Sequence, residues 1–114
     1  MKGERLLVLF VALIVFSPIT GVSRAEDTGF TIVIKDHQFS PAKLKIPAGK
    51  KVKVVIENQD ATAEEFESYD LNREKVVAGN AKITVFLGPL KPGIYKYFGE
   101  FHKNTAQGVV IAGE

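Results

Sequence analysis

The chain has 114 residues, a formal net charge of +2 and no cysteine, and its single methionine is Met1. This excludes disulfides, thiolate nucleophiles, iron–sulfur clusters and any metal site that needs sulfur. At 46% hydrophobic and 25% charged, the chain has the composition of one globular domain.

The N-terminus reads as an address. Lys2 and Arg5 precede an unbroken apolar run, Leu6 to Phe16, which Ser17-Pro18 breaks, and Ser23-Arg24-Ala25 offers small residues where a signal peptidase reads. Basic, apolar and cleavage regions in that order predict a secretory signal peptide over 1–25 and a mature domain over 26–114. The apolar run is shorter than the roughly 20 residues a spanning helix needs, so membrane contact is expected only through the signal peptide. Cleavage would leave 12 basic and 12 acidic residues. The basic excess lies in the signal, and a nucleic-acid partner loses its electrostatic argument. A periplasmic or secreted location is expected.

The mature part alternates with a period of two almost throughout. Phe30–Lys35, Lys43–Ile46, Lys51–Glu57, Glu64–Tyr69, Arg73–Val77, Lys82–Leu87, Ile94–Phe98 and Gln107–Ala112 read as strands between Gly, Pro and Asn breaks. Seven or so short strands with no helical stripe predict an all-β, Greek-key antiparallel β-sandwich. The expected core runs from Ile32, Ile34 and Phe39 through Val54, Ile56, Phe66, Val85 and Leu87 to Tyr95, Tyr97 and a last strand pointing Val109 and Ile111 inward. Tyr95 is expected to tie down a loop through its hydroxyl, as tyrosine corners do.

Charge is uneven along the chain. Lys35 to Lys53 holds six lysines and one acid, whereas Glu57 to Glu74 holds seven acids and one base, Arg73. Strand parity puts Glu64 and Phe66 on one face and Glu65 and Glu67 on the other, so these acids do not all converge on one ion without a bulge. His37, in Asp36-His37-Gln38, reads as a surface turn, and His102 lies in a polar loop. The two histidines look unrelated. No Ser–His–Asp order and no phosphate-binding glycine loop is present.

The order of the pieces resembles the cupredoxins. It comprises Phe39-Ser40-Pro41, Pro47-Ala48-Gly49, Asn58-Gln59-Asp60 leading to Glu64-Glu65-Phe66, Leu90-Lys91-Pro92-Gly93-Ile94-Tyr95, then Gly99-Glu100-Phe101-His102 and Gln107-Gly108. The resemblance implies a β-sandwich whose copper site uses two His, a Cys and a weak axial Met. Placed on that pattern, Glu64 stands at the first His, Gly99 at the Cys, His102 at the second His and Gln107 at the possible axial position. The sequence also resembles the EfeO-type cupredoxin-like domain and small periplasmic subunits of bacterial ferrous-iron uptake systems. That similarity implies iron or copper at a site that is not a blue-copper centre, with a membrane iron permease or other periplasmic uptake subunits as partners.

The donor chemistry agrees in direction. Carboxylates, one imidazole and an amide suit iron, manganese, zinc or Cu(II) rather than Cu(I), and anionic oxygen donors favour Fe(III) over Fe(II). The expected metal residues are His102, Glu64, Glu100 and Glu67. Three classes stay open on this reading: a metal-binding accessory of iron transport, a ferroxidase, and a metal-free docking domain that has lost the site.

Overall fold

A computed structural model describes residues 29–113, so the signal-peptide reading lies outside the described residues. Nine strands form two sheets. They are β1 (Phe30–Lys35), β2 (Gln38–Ser40), β3 (Lys43–Pro47), β4 (Val52–Asn58), β5 (Glu64–Ser68), β6 (Arg73–Val77), β7 (Lys82–Leu87), β8 (Gly93–Gly99) and β9 (Gln107–Gly113). One sheet has the order β2-β1-β4-β7, the other β3-β9-β8-β5-β6. Between β8 and β9 lies one 3₁₀ turn, Glu100–His102.

The all-β sandwich is as expected, with two differences. The described residues form nine strands rather than seven or so: each of the eight ranges read from the sequence is a strand, and the three-residue β2, too short to show a period, pairs back onto β1 as the ninth. The sheets are also mixed. β1 runs parallel to β4, and β3 runs parallel to β9. Such pairs join segments far apart in sequence, and alternation within a strand carries no information about its partner's direction.

Alternation accounts for the core. Ile32, Ile34, Val54, Ile56, Phe66, Leu87 and Tyr97 are each at most 1% exposed. The last strand has the opposite parity to that expected: Val110 and Ala112 point inward, and Val109 and Ile111 are half-buried. Registry with β8 is the reason. Tyr97 pairs with Gly108 and Tyr95 with Val110, and cross-strand partners share a face. A Cβ at Gly108 would stand 2.5 Å from the Tyr97 ring, so the inward position opposite that ring takes only glycine. Tyr95 does tie down its loop, its hydroxyl donating to the Lys91 carbonyl at 2.7 Å.

Candidate functional site

The residues singled out in the sequence separate into two groups. The first gathers at one end of the sandwich. Glu64 opens β5 with its side chain inward and is 1% exposed. Its Oε2 accepts the N–H groups of Glu65 (3.0 Å) and Phe101 (2.9 Å), and its Oε1 lies 2.6 Å from His102 Nδ1. In the tautomer that carries its proton on Nδ1, the ring donates and the carboxylate accepts all three bonds. A buried carboxylate with three charge-assisted hydrogen bonds is compensated without any ion.

His102 has a second neighbour that the sequence did not disclose. The His37 ring stacks on it, with centroids 3.7 Å apart and planes 13° apart. The reading of two unrelated turns is therefore corrected. Asp36 and His37 form the two-residue turn of the β1–β2 hairpin, with φ of 54° and 58°, and Lys35 pairs with Gln38 across it. Positive φ at both central residues is the geometry of a type I′ turn. Asp60 holds this turn from the neighbouring loop. Its Oδ1 accepts the Asp36 N–H at 2.8 Å and its Oδ2 the His37 N–H at 2.9 Å. These backbone bonds, that of His37 first, hold its carboxyl below the usual range despite burial. Parallel pairing of β1 with β4 brings the two loops together, and that non-local pairing is why sequence spacing hid the histidine pair.

The second group lies on the outer face of the five-stranded sheet. Glu65 and Glu67 project there from β5, as strand parity requires, and Glu74 of β6 stands opposite Glu67. Glu65, Glu67 and Glu74 each bring a carboxylate oxygen within 4.8 Å of the others, and this is a grouping able to hold a metal ion among the described residues. Glu65 is pushed up to about 7. The first cause is a hydrogen bond shared with the Glu74 carboxyl, followed by burial and the charges of Glu74, Glu67 and Glu100. Glu67 is also raised, by burial first and then by Glu74 and Glu100, with Lys103 opposing. Arg73, the one base in the acidic stretch, leaves the cluster unneutralised. Its guanidinium donates to the carbonyls of Phe86, Leu71 and Asn72.

The four expected metal residues are thus divided. Glu64 and His102 are in contact, while Glu67 belongs to the outer cluster. Glu100 adds its field to that cluster and pairs with Lys103 at 3.7 Å. Gln107 is exposed and donates to the Lys103 carbonyl at 2.8 Å. Glu65 and Glu74 complete the cluster. Neither was among the expected metal residues: parity put Glu65 on one face with Glu67, but nothing local marked Glu74 as the partner of Glu67.

A family model described as "Cupredoxin-like domain" matches residues 5–112. This chain belongs to the cupredoxin-like family. An uncharacterized protein of Rickettsia prowazekii (strain Madrid E) is 40% identical over 120 residues, covering 99% of this chain and 96% of that one. Among solved structures, auracyanin A, a blue copper protein from Chloroflexus aurantiacus, superposes with a TM-score of 0.65 at 16% identity, covering 75% of this chain and 98% of that chain. A purple cupredoxin from Nitrosopumilus maritimus gives 0.58 at 22% identity, with 74% and 99% coverage. Amicyanin from Paracoccus versutus gives 0.60 at 16% identity, with 79% and 84% coverage. These likenesses establish the fold.

Cupredoxin-like proteins usually bind copper, so the residues must be tested against that ion. They do not fit a type-1 centre. No thiolate or thioether is present among the described residues, and a Cβ at Gly99 would stand 2.6 Å from Glu64 Cδ and 2.7 Å from its Oε2. The Glu64 carboxylate fills the space that a residue-99 side chain would need. Glu64 and His102 alone do not form an open chelate either. An ion bonded to both atoms at about 2.0–2.2 Å would hold them roughly 3.3 Å apart, and they are 2.6 Å apart. The donor set that does converge is the all-oxygen trio on the sheet.

Proposed function

We propose that this protein is a periplasmic, cupredoxin-like metal-binding accessory of iron transport. On this reading it takes up iron, or another hard to borderline cation, on carboxylates, and delivers it or assists Fe(II) oxidation beside a membrane permease. The observation that carries the proposal is the convergence of Glu65, Glu67 and Glu74 within 4.8 Å, none of them in an ion pair among the described residues. Glu65 keeps a proton to about pH 7, first through the hydrogen bond it shares with Glu74, then through burial and the charges of the neighbouring carboxylates. A divalent cation would replace that proton and relieve the repulsion. Oxygen donors of this kind suit iron and manganese, and their negative charge favours the ferric over the ferrous state. The electron released on oxidation would pass to dioxygen or to an acceptor supplied by a partner. The similarity to periplasmic subunits of ferrous-iron uptake, noted from the sequence, supports the cargo and the location.

Calorimetric titration of the metal-free mature protein with Fe(II), Mn(II) and Cu(II) tests this proposal. Binding tighter than millimolar that is abolished by Glu67→Gln/Glu74→Gln supports it. Oxygen consumption on adding Fe(II) distinguishes a ferroxidase from a binder.

A second reading is favoured by one observation. Glu64 spends both oxygens on three hydrogen bonds at the place where copper proteins of this fold hold their metal. A sandwich that has replaced its copper site with a structural carboxylate could serve as a metal-free docking domain. Unchanged transport in the Glu67→Gln/Glu74→Gln variant would favour it.

A further inference from the structure

The outer face of the five-stranded sheet is polarised from edge to edge, and the register shows how. One row across the strands reads Lys43 on β3, Val109 on β9 and Lys96 on β8. The next row reads Gln107 on β9, Phe98 on β8, Glu67 on β5 and Glu74 on β6. Period two puts all of these side chains outward, since Leu44, Val110, Tyr97 and Phe66 between them are buried. The face thus runs from basic through aromatic to acidic.

An open groove of about 660 Å³ lies over its basic and aromatic part. Phe98 and Val109 form apolar floor, and Tyr69, 76% exposed, leans over Phe98 with ring centroids 5.5 Å apart. Lys43, Lys96 and Lys103 all line the groove. Lys103 stands 5.9 Å above the Phe98 ring and is paired with Glu100. Neither Lys43 nor Lys96 has a carboxylate within 4.0 Å among the described residues. Asp70 bonds the Lys96 backbone N–H at 2.8 Å.

An aromatic wall beside two lysines without an ion pair among the described residues matches one kind of small ligand: a flat apolar body carrying carboxylate or phenolate oxygens. We propose that this groove binds an aromatic organic anion. Its ring would pack on Phe98 and Tyr69, and its charge would pair with Lys43 and Lys96. The volume falls within the range of about 300–1,000 Å³ usual for small-molecule sites. Phe98 sits directly beside Glu67, one strand spacing of about 4.8 Å away. An anion whose oxygens also chelate a metal would present that metal to the carboxylate trio. This last consequence deepens the metal-binding proposal and rests on it. Binding of the anion to metal-free protein does not.

The test is an NMR titration of the metal-free, ¹⁵N-labelled mature protein with salicylate, and with citrate as a non-aromatic anion. Saturable shifts with salicylate at Lys43, Tyr69, Lys96, Phe98 and Val109, and none at His37 or His102, are expected. Lys43→Ala/Lys96→Ala should weaken the affinity about tenfold, as the loss of two exposed charge pairs would. Mn(II) titration of the same variant, run separately, reads the carboxylate trio alone, so failure of one claim is distinguishable from failure of the other. The proposal is overturned if salicylate produces no saturable shifts, if the lysine variant binds as tightly, or if citrate binds equally well on the same residues. It is also overturned if an acidic peptide occupies the groove and salicylate does not, which would make the surface a protein-docking face.

Discussion

Replacing Glu64 by alanine removes the acceptor for three donors at once: the N–H groups of Glu65 and Phe101 and His102 Nδ1. Each donor left without a partner in a buried site costs about 1–3 kcal/mol. Water can reach the half-exposed His102, so we expect a total near 3–5 kcal/mol, a large part of the stability of a small domain. Glu64→Gln keeps the shape and one acceptor, so it should cost about 1–2 kcal/mol. A double-mutant cycle with Gly99 sharpens the test. Gly99→Ala forces a methyl to within 2.6 Å of Glu64 Cδ and of the Ala106 Cβ. Overpacking of that kind costs about 1–3 kcal/mol. Removing Glu64 relieves one of the two clashes, so the double variant should be more stable than the sum of the single effects by at least about 1 kcal/mol. The assay is urea unfolding followed by far-ultraviolet circular dichroism, since the chain has no tryptophan. A Glu64→Ala cost below about 1 kcal/mol, or additivity within about 0.5 kcal/mol in the cycle, would refute this account of the buried carboxylate.

Other expectations rest on separate features. Glu65 keeps its proton to about 7 when folded against 4.5 ordinarily, so between those values the folded protein binds more protons than the unfolded chain. Stability should therefore fall as pH rises from 4.5 to about 7, and Glu65→Gln should flatten that slope in urea midpoints; an unchanged slope would contradict the assignment. Asn58, 1% exposed, donates to the Thr62 carbonyl at 2.8 Å and accepts the Asp60 N–H at 2.9 Å. Asn58→Ala should cost about 2–3 kcal/mol by the same urea assay and should loosen the Asp60 loop, seen as faster amide exchange at His37. A Cβ at Gly79 would stand 2.0 Å from the Ala61 carbonyl oxygen, so Gly79→Ala should destabilise by about 3 kcal/mol or abolish folding, whereas Gly113→Ala, with open space around it, should change little.

Much of this molecule was legible in its sequence because burial follows alternation. The strands from Phe30 to Val85, the Tyr95 tether and the opposite facing of Glu64 and Glu65 all follow from a period of two. Pairing was not legible. Direction and register decide that Val110 rather than Val109 fills the core, that Glu74 faces Glu67, and that His37 lies on His102. Each of these depends on which strand lies next to which, and local pattern is silent on that. The site was legible mainly as an absence. A domain with no sulfur among its described residues, carrying glycine and glutamine where a copper protein of this fold has Cys and Met, could not hold a type-1 centre. What the sequence did not disclose is that Glu64 has become a structural residue and that the free carboxylates lie on the sheet instead.

The most direct test of the oxygen-donor site is a Mn(II) and Fe(II) titration of metal-free protein alongside two variants, Glu65→Gln/Glu67→Gln/Glu74→Gln and His102→Ala. One cation per chain, bound more tightly than millimolar, lost in the triple variant and kept in His102→Ala, is the expected result. No binding at millimolar cation, or binding that survives in the triple variant and disappears with His102, would contradict it.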